Sequence, residues 1–264
     1  MQSTHFPIGI FDSGVGGTSI WKEISALLPL ENTLYLSDSK NAPYGQKSKK
    51  EIINLAIKNT EFLLAQNCKL IVVACNTATT NAIQFLRETY NVPFIGIEPA
   101  IKPASLKTKT NRIGILATKG TLNSTLFEET SNTINKKIVI KETVGKGLVE
   151  LIEEGKLHSA KTTELLKTYI QPLTDENIDC LVLGCTHYPY LIPQIRKIVG
   201  HKIKIIDSGE AVAKQTKNVL ESNNLLNKED KIEKHQFYIN KDKKVLETLL
   251  SKYSKTINIT EKEF

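Results

Sequence analysis

Two cysteines stand where a base or a nucleophile would be placed. The run Leu70-Ile71-Val72-Val73-Ala74 is apolar, β-branched and of strand length, and it breaks into Cys75-Asn76-Thr77-Ala78. A helical pattern, Ala82-Ile83-Phe85-Leu86, follows. The chain repeats the device. Cys180-Leu181-Val182-Leu183-Gly184 leads into Cys185-Thr186-His187-Tyr188-Pro189. A cysteine at a strand-to-helix turn meets the positive end of the helix dipole, so its pKa is expected to fall from about 8.5 toward neutrality. The N–H groups of the same helix start, with the side chains of Asn76, Thr77 and Thr186, can hold a carboxylate. Two thiols on opposite walls of a cleft suit inversion at a carbon that bears hydrogen. One sulfur removes the proton from one face and the other returns a proton to the opposite face, and the two exchange states between turnovers. Asp12 is expected to assist Cys75, and His187 to assist Cys185. The carbanion-like species formed on the way needs electrostatic stabilisation and exclusion of water.

Plainer roles compete with this one. Cysteine is often a small buried hydrophobe, and that is the expected role of Cys68 and Cys180. A zinc site built from Cys75, Cys185 and His187, with an open position for a hydrolase or lyase, is the rival chemistry. A non-catalytic amino-acid-binding protein is a third. A thiol oxidoreductase fits less well, because the two cysteines are far apart and each precedes polar anchoring residues. Asp12-Ser13, Asp38-Ser39 and Asp207-Ser208 could each be turn or cap residues, and for Asp207 the cap is the better reading.

The elements that must position these groups read as a mainly parallel α/β fold. Ile8-Gly9-Ile10-Phe11 is a strand that ends in Asp12-Ser13-Gly14-Val15-Gly16-Gly17 and runs into a helix through Ile20, Ile24 and Leu27. Gly14 and Gly16 match two positions of a dinucleotide fingerprint, but Ser19 occupies the third, and no phosphate loop is present. Thr33–Asp38 and Val92–Ile97 are further strands, and Lys49–Leu64 is an amphipathic helix. The pattern restarts near residue 98. Arg112–Ala117 echoes the first strand and is followed by a turn at Thr118, and Lys137–Ile140 is a strand. Leu148–Glu154 and Ala160–Ile170 are helices. Lys202–Ile206 is a strand before the helix that starts at Asp207. Glu221–Lys234 reads as a solvated linker. His235–Ile239, Val245–Leu250 and Ile257–Ile259 give a strand, a helix and an edge strand. Strand-helix alternation with an internal echo predicts two similar α/β halves. Ligands of such folds sit at the carboxyl ends of strands, where Asp12, Asp38, Cys75, Thr118, Cys185 and Asp207 all fall.

Composition narrows the classes. At 264 residues and a net charge of +7 the chain has the make-up of a globular protein. Its positive charge is almost all lysine, with arginine only at 87, 112 and 196, so nucleic acid is not expected as a partner. No apolar run reaches the ~18 residues of a membrane span. The first residues have no secretory pattern, so reduced thiols and a cytoplasmic location are expected.

Ile10-Phe11-Asp12-Ser13-Gly14-Val15-Gly16-Gly17, Pro43-Tyr44-Gly45, Val73-Ala74-Cys75-Asn76-Thr77-Ala78, Glu98-Pro99, Leu183-Gly184-Cys185-Thr186-His187-Tyr188-Pro189 and Ile206-Asp207-Ser208-Gly209-Glu210 together resemble glutamate racemases, of the aspartate/glutamate racemase family. The resemblance spans residues 8–213. It implies a cofactor-independent enzyme, without pyridoxal phosphate or metal, that makes D-glutamate for peptidoglycan. It also implies a homodimer of chains with two pseudo-symmetric α/β domains and the active site in the cleft between them. Residues 1–97 with 207–264 would form the first domain and 98–206 the second. Cys75 would act on the D-enantiomer and Cys185 on the L-enantiomer, with Asp12 and His187 as their auxiliaries and Glu153 as a further acid beside His187. Ser13, Tyr44 and Gly45 would hold the side-chain carboxylate. Asn76, Thr77 and Thr186 would hold the α-carboxylate, with Thr118 and Thr121 nearby and Asp38 near the ammonium. Aspartate is the second substrate to consider. The family's usual proline is replaced by Glu150, and its upstream Cys-Pro pair by Val144-Gly145-Lys146-Gly147. The N-terminal extension through which some members are activated by a cell-wall precursor is lacking, so that control is not expected.

Overall fold

A computed structural model describes residues 3–228 and 235–264. Strand and helix alternate from the start: β1 (Ile8–Asp12), α1 (Thr18–Leu27), β2 (Thr33–Ser37), α2 (Lys49–Ala65), β3 (Leu70–Val73), α3 (Asn76–Thr89) and β4 (Phe94–Gly96). A second set follows: α4 (Ile101–Lys107), β5 (Arg112–Ala117), α5 (Lys119–Leu122), α6 (Thr125–Asn132), β6 (Val139–Val144), α7 (Leu148–Glu153), α8 (Ala160–Asp175), β7 (Cys180–Gly184), α9 (Ile192–Val199) and β8 (Lys204–Ile206). The chain closes with α10 (Gly209–Ser222), β9 (His235–Ile239), α11 (Lys244–Leu249) and β10 (Ile257–Glu261).

The strands form two parallel sheets, one of six strands in the order β10-β9-β2-β1-β3-β4 and one of four in the order β6-β5-β7-β8. The block β2-β1-β3-β4 and the whole of the second sheet share one order, so the echo heard in the sequence is a repeat of topology. Every residue of β1, β2, β3 and β7 is buried. Helices cover both faces of such strands, which is why they read as continuous apolar runs without alternation. β10 lies at the edge of its sheet, as expected. The order 2-1-3-4 places a topological switch between β1 and β3, and between β5 and β7. Asp12 and Cys75 flank the first switch; Thr118 and Cys185 flank the second.

Local chemistry accounts for the helix starts. Ser48 and Glu51 form a reciprocal capping box on α2. Ser159 caps α8 by accepting from Thr162 N–H. The cap expected at Asp207 falls one residue later: Ser208 holds the N-cap position of α10 without a side-chain cap bond, and Asp207, just before it, accepts from Gly209 N–H at 2.8 Å. Trp21 of α1 packs edge-on against His235, Phe237 and Tyr253, which fastens the C-terminal strands to the front of the chain. The largest apolar cluster contains residues of both sheets, Ile10 and Val72 with Leu181 and Leu183 among them.

Several boundaries differ from the sequence reading. The strand expected at Lys137–Ile140 occupies Val139–Val144, because it pairs residue for residue with Arg112–Ala117 of β5. The helix expected to end at Ile170 continues through Pro172 to Asp175. Thr118 does not lie in a simple turn; it caps the short helix α5. Of the expected linker, Glu221 and Ser222 close α10, and residues 229–234 lie outside those described.

Candidate active site

The turn after β1 is shaped by side chains that reach it from the other sheet's half of the chain. Asp12 Oδ2 accepts from Gly17 N–H at 2.7 Å. Glu153, at the end of α7, accepts from Val15 N–H at 2.7 Å through Oε1 and from Ser39 Oγ at 2.7 Å through Oε2. A Cβ on Gly14 would stand 1.9 Å from Glu153 Oε1, and one on Gly16 would stand 2.2 Å from His187 Nδ1. The glycines are therefore there for Glu153 and His187 to pass, not for a phosphate, which accounts for the incomplete dinucleotide pattern.

Cys75 and Cys185 line one small chamber, with Ser13, Asn76, Thr186 and His187 also in its wall. Cys75 caps α3: its sulfur accepts from Ala78 N–H at 3.4 Å and faces Ser13 Oγ at 3.6 Å. The expectation of a lowered thiol pKa at this position fails. Burial, and then the charge of Asp12, hold the Cys75 pKa well above its ordinary value, outweighing the N–H of Ala78 and the hydroxyl of Ser13. A cysteine sealed this deeply pays more for desolvating a thiolate than one helix end returns.

The opposite wall is organised around charge. His187 places Nδ1 3.8 Å from Cys185 Sγ and Nε2 2.6 Å from Glu153 Oε1. Burial alone would lower the His187 pKa, but the contacts with Cys185 and Glu153 and the nearby Asp12 outweigh it and raise it well above 6.5. Glu153 answers in the other direction: burial would raise it, yet the hydrogen bond and charge of His187, with Ser39 and Val15, hold it below the usual value. His187 is thus an imidazolium at neutral pH, donating to Glu153 and turning its second N–H to the Cys185 sulfur.

Asp12 is fully buried and does not itself line the chamber. Thr186 Oγ1 is 3.4 Å from both of its carboxylate oxygens. Burial pushes the Asp12 carboxyl up to about 6, against the lowering effects of His187 and the Gly17 N–H. A folded-state pKa raised above 3.8 means that the folded protein binds the extra proton, so Asp12 lowers stability progressively as pH rises from about 4 to about 6. Asp12→Asn should remove that loss. Denaturant unfolding should find the variant and wild type alike near pH 4 and the variant ahead by on the order of 2–3 kcal/mol at pH 7. A difference that does not change with pH would remove the raised carboxyl from the account.

The polar residues around the sulfurs fall into two groups. Asn76 is 3 % exposed, and neither its amide N–H nor its amide oxygen has a partner, an arrangement that awaits a ligand. Thr77, Thr118 and Thr121 form a triangle of hydroxyls with separations of 2.8, 3.0 and 3.3 Å. Thr77 and Thr118 reach the chamber wall, whereas Thr121 supports them from behind. Tyr44 and Gly45 are also in the wall, but the Tyr44 hydroxyl is engaged: it donates to Asp38 and accepts from Asn59 at 3.1 Å. Tyr44 offers a ligand its ring and main chain. Asp38, expected near the ammonium, instead receives Tyr44, Asn41 and Asn240 and does not line the chamber.

Three participants escaped the sequence reading. Ser39 holds Glu153, and Pro43 and Val149 complete the chamber wall. Pro43 belongs to the Pro43-Tyr44-Gly45 motif but was given no site role; Val149 looks like any apolar helix residue. The zinc alternative lacks a ligand set. Among the described residues no three His, Cys, Asp or Glu side chains are grouped to hold a metal ion, and His187 has turned Nε2 to Glu153.

Known proteins resemble this chain in sequence and in fold. The family model described as Asp/Glu/Hydantoin racemase matches residues 18–216. A glutamate racemase of Ralstonia pickettii is 47% identical over 208 residues, 79% of this chain and 74% of its own length. The crystal structure of a glutamate racemase isoform from Bacillus anthracis superposes with a TM-score of 0.88 at 32% identity, covering 99% of this chain and 98% of that one. The Francisella tularensis glutamate racemase solved with D-glutamate gives a TM-score of 0.85 at 30% identity, with 99% and 98% covered. Matched along most of its length in sequence and nearly all of it in structure, the chain belongs to the aspartate/glutamate racemase family.

Proposed function

We propose that this protein is a glutamate racemase that interconverts L- and D-glutamate by a two-base cysteine mechanism, supplying D-glutamate for peptidoglycan. The observation that carries the mechanism is the pair of cysteines, delivered by equivalent strand ends of two like-ordered parallel sheets to one small chamber. Residues 1–97 with 207–264 act as one lobe and 98–206 as the other, each contributing one sulfur. On the Cys185 side, with His187 Nδ1 3.8 Å from the sulfur, the thiolate takes the α-proton of L-glutamate. On the Cys75 side the buried thiol gives its proton to the opposite face, and the product is D-glutamate. The reverse turnover starts with the sulfurs in exchanged states. Asn76 and the Thr77 and Thr118 hydroxyls hold a carboxylate, with Thr186 on the far wall, and Ser13, Tyr44 and Gly45 hold the other. The reaction needs only proton transfers, so no cofactor is required. The reading carries with it a cytoplasmic homodimer; no helix among the described residues is long and apolar enough to cross a membrane.

The chamber leaves about 10 Å³ free, room for one water, so a glutamate enters only if the walls part. The test is to follow L-glutamate in deuterated water. Loss of optical activity should run with entry of one deuterium at the α-carbon of the D-product. Racemisation that retains the original hydrogen, or that stops when metal is stripped from the protein, contradicts the mechanism.

A further inference from the structure

The inner chamber adjoins a second hollow. It shares Pro43, Gly45, Thr118 and Val149 with a larger cavity of about 590 Å³ that lies outside it. That outer cavity is lined by four lysines, Lys47, Lys49, Lys119 and Lys146, against one carboxylate, Glu150. Lys49, Lys119 and Lys146 are exposed and Lys47 is half-buried, and among the described residues none of the four is ion-paired. Most of the salt bridges elsewhere on the surface join lysine to a nearby acid, as Lys214 does with Glu210 and Lys243 with Glu247. The lysines of this cavity have been left without such partners. The lone acid is spoken for: Glu150 Oε1 accepts from Gln46 Nε2 at 2.7 Å, a bond that joins the two halves of the chain across the cavity.

We propose that this cavity is a cationic vestibule that collects the anionic amino-acid substrate before the inner chamber admits it, with Lys119 and Lys146 as its principal charges and Glu150 as the group that opposes them. The proposal rests on the racemase reading above. Glutamate carries two carboxylates and one ammonium, a net single negative charge. Field lines from unpaired lysines are concentrated in a concave site with low-dielectric walls, which raises the local concentration of such an ion. Lys119 and Lys146 come from the ends of β5 and β6, on one side of the cavity, and Lys47 and Lys49 come from the start of α2 on the other. An anion crossing between them is therefore drawn from both halves of the chain toward Thr118 and Gly45, the rim that the vestibule and the chamber share. Glu150 works against this attraction, and the Gln46 amide blunts it.

The experiment measures kcat and KM for L-glutamate at low and high salt in the full-length enzyme. Lys119→Glu and Lys146→Glu should each lower kcat/KM about fivefold at low salt, with the loss in KM, and high salt should erase most of the difference. Glu150→Gln keeps the hydrogen bond to Gln46 but removes the opposing charge, so its KM should fall about twofold. This change has the opposite sign and damage to the fold cannot produce it. Lys167→Glu, an exposed lysine on α8 in another groove, has the same effect on net charge and should leave kcat/KM as it is. Unchanged kcat/KM in the vestibule variants, an equal loss in Lys167→Glu, or a raised KM in Glu150→Gln overturns the vestibule and leaves the racemase standing. A wild-type protein that does not racemise glutamate overturns the function on which the vestibule rests.

Discussion

Replacing either Cys75 or Cys185 with alanine should lower glutamate racemisation roughly 10²–10⁴-fold, while circular dichroism reports an intact fold. Each sulfur handles a proton on one face only, so the surviving sulfur cannot complete an inversion. It can still remove and return a proton on its own face. Cys75→Ala should therefore leave slow exchange of solvent deuterium into L-glutamate without racemisation, and Cys185→Ala should leave it into D-glutamate. The two residual activities should differ in size, because the walls differ. Cys185 has the His187 imidazolium at 3.8 Å, whereas Cys75 is held as a thiol by burial and by Asp12. Exchange into L-glutamate should be the faster of the two. Proton NMR in deuterated water reads both numbers from one sample. A variant that racemises at the wild-type rate removes the missing sulfur from the chemistry, and exchange into the opposite enantiomer would swap the assigned faces.

Lys69→Met should cost about 3–5 kcal/mol of folding stability, read by urea unfolding. Lys69 is fully buried, and its Nζ lies 2.5 Å from Glu31 Oε2 and 2.5 Å from the Thr4 carbonyl. Glu31 Oε1 accepts from Asn227 N–H at 2.7 Å. One charge pair thus joins the segment before β1, the α1–β2 connection, the start of β3 and the segment after α10. Burial lowers the Lys69 pKa and Glu31 opposes that shift, so the ammonium and carboxylate depend on each other. Methionine keeps most of the side-chain volume but leaves a carboxylate inside the protein with its charge uncompensated. Pairing the change with Glu31→Gln should recover a good part of the loss, since the remaining amide carries no charge. If the single variant is as stable as wild type, the pair does not fasten these segments.

The sequence spoke clearly where one interaction dominated. Buried parallel strands are apolar throughout, so β1, β3, β5 and β7 were legible, and the polar residues that end them marked the site. Cys75, Cys185, Asp12 and His187 fall together in space for that reason. Elements that rest on packing were harder to read. α4 holds Pro103 within seven residues, and α6 is a short, mostly polar helix whose clearest mark is its Ser124 cap; neither stood out. The length of β6 follows from its pairing with β5, which no local pattern states. Ser39 became visible only with Glu153 beside it, because a contact across 114 positions leaves no mark in spacing. The Cys75 pKa was misjudged because the helix end could be read from the sequence while the depth of burial could not. Asp38 was misplaced because its three hydrogen-bond donors come from residues 41, 44 and 240.

The order of strands in the larger sheet bears on how the chain is made. A ribosome releases residues 112–206 in one stretch, and that stretch contains all four strands of the smaller sheet. β2 is different: the neighbour on its outer side is β9, which emerges some two hundred residues later. Through most of synthesis β2 is a bare rim with unsatisfied main-chain donors and acceptors, the kind of surface that recruits strands from other molecules. Truncation before residue 235 would make that transient exposure permanent, and a prematurely terminated product should be insoluble rather than merely inactive.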